Sequence, residues 1–159
     1  MNELKVTSSQ FENEGWMPDS VAGYAEDNSP ELIIDNIPEG TITLAIAMDD
    51  LDHPIVKGFN HWVAWNLAPN NRIPGSIPKG ATIENPIHIE QGIGYGKHGY
   101  RGPKPPFNWN HRYRFTIYAL DTKIDISVNS KKEELMEAIE DHVLASGTII
   151  GKYQRHHAS

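Results

Sequence analysis

The chain has 159 residues, a size typical of one domain, and 38% of them are apolar, so folding can form a core without a structural metal or a disulfide. Its 14 basic and 21 acidic side chains give a net charge of −7, which disfavours nucleic acids and anionic lipid surfaces as partners. The absence of cysteine excludes disulfides, thiolate zinc sites and cysteine nucleophiles, and no apolar run approaches the roughly 20 residues of a membrane span. We therefore expect a single domain over residues 1–159 that resides in the cytoplasm without stable membrane association.

Short β-strands are the main elements that the sequence predicts. The 13 glycines and 11 prolines are spread along the chain, as is typical of strands joined by turns. Apolar residues alternate with a period of two over residues 41–48, and both faces are largely apolar, which predicts a central strand. Aromatic and β-branched residues predict further strands over residues 61–67 and 111–120. Weaker patterns predict strands over residues 4–8, 31–35 and 149–153.

One segment favours a helix. Ser130 followed by Glu133 forms a capping-box pattern, and Gly147 stands at the position of a left-handed C-terminal cap. The apolar residues that recur every four positions between them are Leu135, Ile139 and Val143. We predict a helix over residues 131–146 that packs these three side chains against a mostly β body.

Three of the predicted strands carry titratable groups at an end. Asp50 and Asp52 follow the central strand and share the parity of its buried side chains, where an unpaired carboxylate is costly. His61 opens the second strand, and His111, with Tyr113 two residues later, opens the third. The residues that share the parity of His61 are Val63, Trp65 and Leu67. Because strand ends of a β-sandwich can converge on one mouth, these groups predict a shared pocket, whereas turn-capping aspartates and structural histidines are the simpler alternative.

Other chemical patterns are weak. Residues 94–99 match G-x-G-x-x-G, but three prolines in the segment that follows forbid the helix that dinucleotide binding requires. The acids and histidines named above are acceptable metal ligands, yet no His-x-His or H-E-x-x-H spacing prearranges two of them. No G-x-S-x-G elbow indicates a serine hydrolase. We therefore expect no nucleotide, no obligate metal and no other cofactor.

Short motifs occur in a fixed order along nearly the whole chain. They are Asn28-Ser29-Pro30-Glu31-Leu32, Asp50-Leu51-Asp52-His53-Pro54, His61-Trp62-Val63, Gly99-Tyr100-Arg101-Gly102-Pro103-Lys104-Pro105-Pro106, His111-Arg112-Tyr113-Arg114-Phe115 and Tyr118-Ala119-Leu120-Asp121. In order and spacing they resemble the phosphatidylethanolamine-binding protein family, which includes Raf kinase inhibitor protein, and most closely its prokaryotic branch.

The resemblance implies an antiparallel β-sandwich with a C-terminal helix and a small pocket for phosphate or a phosphoethanolamine head group. Carried over by matching positions, the pocket residues are Asp50, Asp52, His61, Tyr100, Pro105, His111 and Tyr113. The chain departs from the family pattern at the rim of this pocket. Leu51 and His53 replace the usual proline and alanine, Lys104 stands where prokaryotic members often have cysteine, and residues 107–110 replace a glycine-bearing turn.

Three classes of function stay open. The first is a non-enzymatic protein that binds a phosphate-bearing or other small anionic ligand and, by analogy with the family, regulates a kinase or another protein partner. The second is a small hydrolase or lyase in which His61 or His111 acts as general base and an aspartate orients it, although no nucleophile is evident. The third is a protein whose surface, rather than its pocket, makes the functional contact, and a homodimer is also left open.

Overall fold

The chain folds into the predicted β-sandwich, which a computed structural model describes over residues 2–56 and 58–155. The strands are β1 (Asn2–Glu3), β2 (Lys5–Thr7), β3 (Gly15–Trp16), β4 (Leu32–Asp35), β5 (Thr43–Asp50), β6 (Phe59–Leu67), β7 (Arg72–Ile73), β8 (Thr82–Ile83), β9 (Ile89–Gln91), β10 (Ile93–Gly94), β11 (Lys97–His98), β12 (Asn110–Leu120) and β13 (Val143–Gln154). The helical elements are a short 3-10 turn, Asp19–Val21, and α1 (Lys132–Ile139). The three main predicted strands correspond to β5, β6 and β12.

Two sheets enclose the main core. The larger sheet has the order β1-β13-β12-β5-β6-β9-β8, and the smaller one has the order β2-β4-β7. Strand pairing is antiparallel except where β1 and β3 run parallel to β13. Both sheets contribute to one apolar cluster, which includes Val6, Leu32, Ile34, Ile46, Trp62 and Phe115. The long strands β5, β6 and β12 therefore lie side by side, and their ends can present side chains to one site.

The helix is shorter than the sequence pattern predicts. α1 ends at Ile139 and β13 begins at Val143, so the prediction of a helix over residues 131–146 is wrong in its second half. Gly147 lies inside β13, opposite Ile117, and does not cap a helix. A Cβ atom at residue 147 would lie 2.2 Å from the backbone oxygen of Leu4, which explains the glycine by the close approach of the neighbouring chain segment.

The first turn of α1 is also shifted by one residue from the predicted capping box. Glu134 Oε1 accepts a hydrogen bond from the backbone N–H of Lys131 at 2.9 Å, whereas the sequence pattern pointed to Ser130 and Glu133. Leu135 and Ile139 are buried on the outer face of the larger sheet, as predicted. In the part of the chain that the structure describes, no helix has both the length and the apolar character needed to cross a bilayer.

Candidate functional site

A β-bulge directs His61 toward the interior of the sandwich. Met48 pairs with Trp62 and Asp49 pairs with Asn60, so His61 is the extra residue between two ladder positions. Bulges interrupt the alternation of side chains and re-aim the residue that carries no partner. The prediction that His61 shares a face with Val63 and Trp65 is therefore wrong, because those two residues pack with α1 on the outer face while the ring of His61 contacts Tyr113.

Asp50 and His111 form a buried pair across the β5–β12 ladder. His111 Nδ1 lies 2.8 Å from Asp50 Oδ2, and the two side chains are only 7% and 4% exposed. The second oxygen, Oδ1, accepts the backbone N–H of Asp52 at 2.9 Å. Because an ionised carboxylate only accepts hydrogen bonds, Nδ1 of His111 carries the proton and Nε2 is left for another partner.

His61 is oriented by a backbone carbonyl. Its Nδ1 donates to the carbonyl oxygen of Arg101 at 2.8 Å. Burial lowers the pKa of His61 below its ordinary value, although the bond to Arg101 and the charge of Asp50 both oppose this shift. The ring is therefore neutral at neutral pH, and its Nε2 presents a lone pair.

These groups line one cavity of about 190 Å³, which we call the histidine cavity. The predicted site residues that line it are Asp50, His61, Pro105, His111 and Tyr113. The ring of Tyr113 lies between the two imidazoles, with centroid distances of 5.3 Å to His61 and 6.3 Å to His111. The structure thus brings together groups from β5, β6, β12 and the proline-rich segment, as the pocket hypothesis requires.

Two residues of the predicted set lie outside the lining of the cavity. Both oxygens of Asp52 bind Arg112, with Oδ2 accepting its backbone N–H at 2.7 Å, and Arg112 lowers the pKa of that carboxyl group. Tyr100 is fully buried, and its hydroxyl donates to the carbonyl oxygen of Val21 at 2.7 Å. Burial raises the pKa of Tyr100 well above its ordinary value.

The lining also contains residues that the predicted set missed. They are His53, Pro54, Tyr95, Lys104, Pro106 and Trp109. His53 and Lys104 carry a signal in the sequence, because they stand at two of the positions where the chain departs from the family pattern. Tyr95 and Trp109 lie in irregular or turn segments, where no periodicity indicates which way a side chain points.

We searched the described residues for metal ligands and for further cavities. No group of three or more histidine, aspartate and glutamate side chains is placed to hold a metal ion within residues 2–56 and 58–155. A larger cavity of about 330 Å³ lies beside the start of α1, between residues such as Asn60, Ile93 and Lys132, and contains none of the predicted site residues.

Comparisons with known proteins agree with this fold. The family model described as phosphatidylethanolamine-binding protein matches residues 7–154. The chain is 39% identical over 155 residues to a UPF0098 protein of Pyrococcus abyssi, covering 96% of this chain and 86% of that protein. It is 34% identical over 134 residues to the UPF0098 protein YbhB of Escherichia coli, covering 82% of this chain and 85% of that protein.

Two crystal structures share the architecture. One is CT736 of Chlamydia trachomatis, described as a phosphatidylethanolamine-binding protein homolog, with a TM-score of 0.84 and 28% identity. The other is YbcL of E. coli, described as a member of the mammalian family, with a TM-score of 0.85 and 26% identity. Each match covers 96% of this chain and 98% of the other chain.

Proposed function

Because the chain belongs to the phosphatidylethanolamine-binding protein family, we propose that it binds a small phosphate-bearing or other anionic ligand in the histidine cavity. The observation that carries the proposal is the convergence of three groups with free hydrogen-bonding capacity. The side chains of His61, His111 and Tyr113 all line the cavity. His61 and His111 use Nδ1 for their bonds to Arg101 and Asp50, which leaves Nε2 of each ring and the hydroxyl of Tyr113 for a ligand. Lys104 lines the same cavity and supplies a positive charge.

The protonation pattern supports an oxyanion that retains one proton. At neutral pH, His61 Nε2 accepts a hydrogen bond, so a P–OH group can donate to it while unprotonated oxygens accept from Tyr113 and Lys104. When the pH falls below the lowered pKa of His61, Nε2 becomes a charged donor. A fully ionised anion such as sulfate should then bind more tightly, and by linkage the bound anion should raise the pKa of His61.

The proposal is tested by calorimetric or NMR titration with sulfate and phosphoethanolamine between about pH 7.5 and 5.5, a range that spans the ordinary histidine pKa. The proteins are the native chain, His61→Ala, His111→Ala and, as matched control, His142→Ala, whose ring pairs with Asp121 away from the cavity. We expect at least about tenfold weaker binding in the first two variants and unchanged binding in the control. Sulfate affinity that is unchanged in both cavity variants, or no binding by the native chain, would refute the proposal.

A hydrolase or lyase is the second candidate, and the Asp50–His111 pair is the observation that favours it. A buried carboxylate that accepts from Nδ1 is the arrangement that orients a histidine general base. The cavity lining, as far as the chain is described, contains no serine, threonine or cysteine, and burial raises the pKa of Tyr113, which keeps its hydroxyl protonated. Such an enzyme would therefore activate water, and phosphate release from a phosphomonoester that is lost in His111→Ala would favour it over simple binding.

We also propose that the anionic group can be carried by a protein partner, such as a phosphorylated residue, in the cytoplasm. Support comes from the apolar surface beside the cavity: Ile55, next to the lining residue Pro54, is 87% exposed, and Phe107 is 73% exposed. The rings of Phe107 and Trp109 lie 5.8 Å apart, and Trp109 lines the cavity. A phosphoserine peptide should therefore bind more tightly than free phosphoserine, and Phe107→Ala should remove the difference. Equal affinities in the native chain would contradict this extension.

A further inference from the structure

We infer that His53 is a further ligand-binding residue of the histidine cavity, and that it acts as an N–H donor through Nε2. The inference rests on the proposed function, because it assigns a specificity-determining role in the same site. His53 replaces the small side chain typical of the family at this position, so the role is specific to this chain.

The loop that follows His53 fixes the tautomer of its ring. Nδ1 of His53 accepts hydrogen bonds from the backbone N–H groups of Ile55 at 3.2 Å and Val56 at 3.0 Å. A ring nitrogen that accepts two N–H groups carries no proton of its own, so the neutral imidazole holds its proton on Nε2. His53 is therefore a donor at neutral pH without needing a positive charge.

Stacking fixes the orientation of the same ring. The imidazole of His53 lies 4.7 Å from the ring of Phe59 at an interplanar angle of 18°. Phe59 in turn meets His61 edge-on, with centroids 5.7 Å apart. His53 lines the cavity, and its Nε2 has no hydrogen-bond partner in the part of the chain that is described.

His53 and His61 thus offer opposite hydrogen-bonding character to one ligand. His61 holds its proton on Nδ1 and presents an accepting Nε2, whereas His53 presents a donating Nε2. An oxyanion with one acidic proton satisfies both rings at once, since its hydroxyl donates to His61 and a bare oxygen accepts from His53. This pairing favours hydrogen phosphate near neutral pH, and phosphomonoesters toward about pH 6, where they retain one proton.

Two substitutions separate the donor from the loop contact. In His53→Asn the amide oxygen takes the place of Nδ1, so the bonds to Ile55 and Val56 are kept while the Nε2 donor is lost. In His53→Gln the amide nitrogen reaches the place of Nε2, so the donor is kept while the loop contact is lost. We expect phosphoethanolamine affinity to fall roughly tenfold in His53→Asn and to change less than about threefold in His53→Gln, measured by calorimetry at about pH 6.5. His142→Ala serves as the control for removal of a histidine outside the cavity.

Histidine ¹⁵N NMR of the ligand-free protein tests the tautomers independently of binding. The expected result is an Nε2–H ring at His53 and an Nδ1–H ring at His61. An Nδ1–H ring at His53, or native affinity in His53→Asn, would overturn the inference while leaving the proposed function intact. A native chain that binds neither phosphoethanolamine nor sulfate would overturn both.

Discussion

Replacement of Asp50 measures how strongly the buried acid holds the site together. Its carboxylate accepts from His111 Nδ1 at 2.8 Å and from the backbone N–H of Asp52 at 2.9 Å, in a pair whose side chains are 4% and 7% exposed. Asp50→Ala leaves the buried Nδ1 donor of His111 and the part-buried N–H of Asp52 without their acceptor. The buried donor costs about 1–3 kcal/mol and the part-buried one less, so we expect a loss of about 2–4 kcal/mol in the free energy of unfolding. Asp50→Ala should therefore be the more destabilising of the two replacements at this position.

Asp50→Asn should cost much less, because the amide can satisfy both donors after one proton moves. Its oxygen accepts the N–H of Asp52, and its NH₂ group donates to Nδ1 of His111 once that ring moves its proton to Nε2. A neutral hydrogen bond of about 1 kcal/mol then replaces a charge-assisted one of about 2 kcal/mol, so the expected loss is about 1 kcal/mol.

Urea denaturation at about pH 7.5, followed by tryptophan fluorescence, gives both free energies of unfolding. Asp52→Asn is the matched control, since its carboxylate is 31% exposed and pairs with an Arg112 side chain that is 50% exposed. We expect that control to cost at most about 1 kcal/mol. If Asp50→Ala and Asp50→Asn lower the stability equally, the assignment of these two hydrogen bonds to the carboxylate is refuted.

Three further predictions concern stability. Ile139→Ala removes a buried side chain between α1 and the larger sheet and should lower the free energy of unfolding by about 2–5 kcal/mol. The control, Glu137→Ala, changes an exposed side chain of the same helix and should alter it by less than about 0.5 kcal/mol. Equal effects would show that α1 is peripheral. Gly147→Ala should cost at least about 2 kcal/mol, because its Cβ would meet backbone atoms of Leu4; a thermal unfolding midpoint equal to that of the native chain would contradict the strand register. Burial lowers the pKa of His61, so below about pH 6.5 this histidine binds protons more readily in the unfolded chain than in the folded one. The stability that the neutral ring contributes is therefore lost as the pH falls further. The free energy of unfolding should therefore fall more steeply between about pH 7.5 and 5.5 in the native chain than in His61→Gln, and parallel slopes would argue against it.

Alternating patterns in the sequence predicted the long strands because those strands have buried faces. The residues 41–48, 61–67 and 111–120 each carry enough apolar and aromatic side chains to specify a strand without tertiary information. The segment after Ile139 misled the helix prediction, because Val143 continues a four-residue spacing by chance. Its conformation is set by pairing with β12 along eleven register positions, which the sequence pattern of one segment does not reveal.

Placement of the site residues was predictable only in part. Strand ends and family resemblance placed Asp50 and His111 in one predicted pocket, and the structure shows in addition that they are in direct contact. The face that His61 occupies depends on a bulge, and a bulge inverts any argument from parity. The contribution of His53 depends on a loop whose backbone N–H groups fold back onto the ring, a tertiary detail that no periodic pattern encodes.

Of the two strands that flank β12 in the larger sheet, one precedes it in the chain and the other follows it. It pairs with β5, which is synthesised well before it, and with β13, which follows α1. During translation, the far edge of this 11-residue strand therefore stays open until β13 leaves the ribosome. An open edge is a template for pairing with another chain, and charged side chains on it reduce that hazard. Arg112 and Arg114 stand on this strand, so they can protect a nascent chain from association before the sheet is closed.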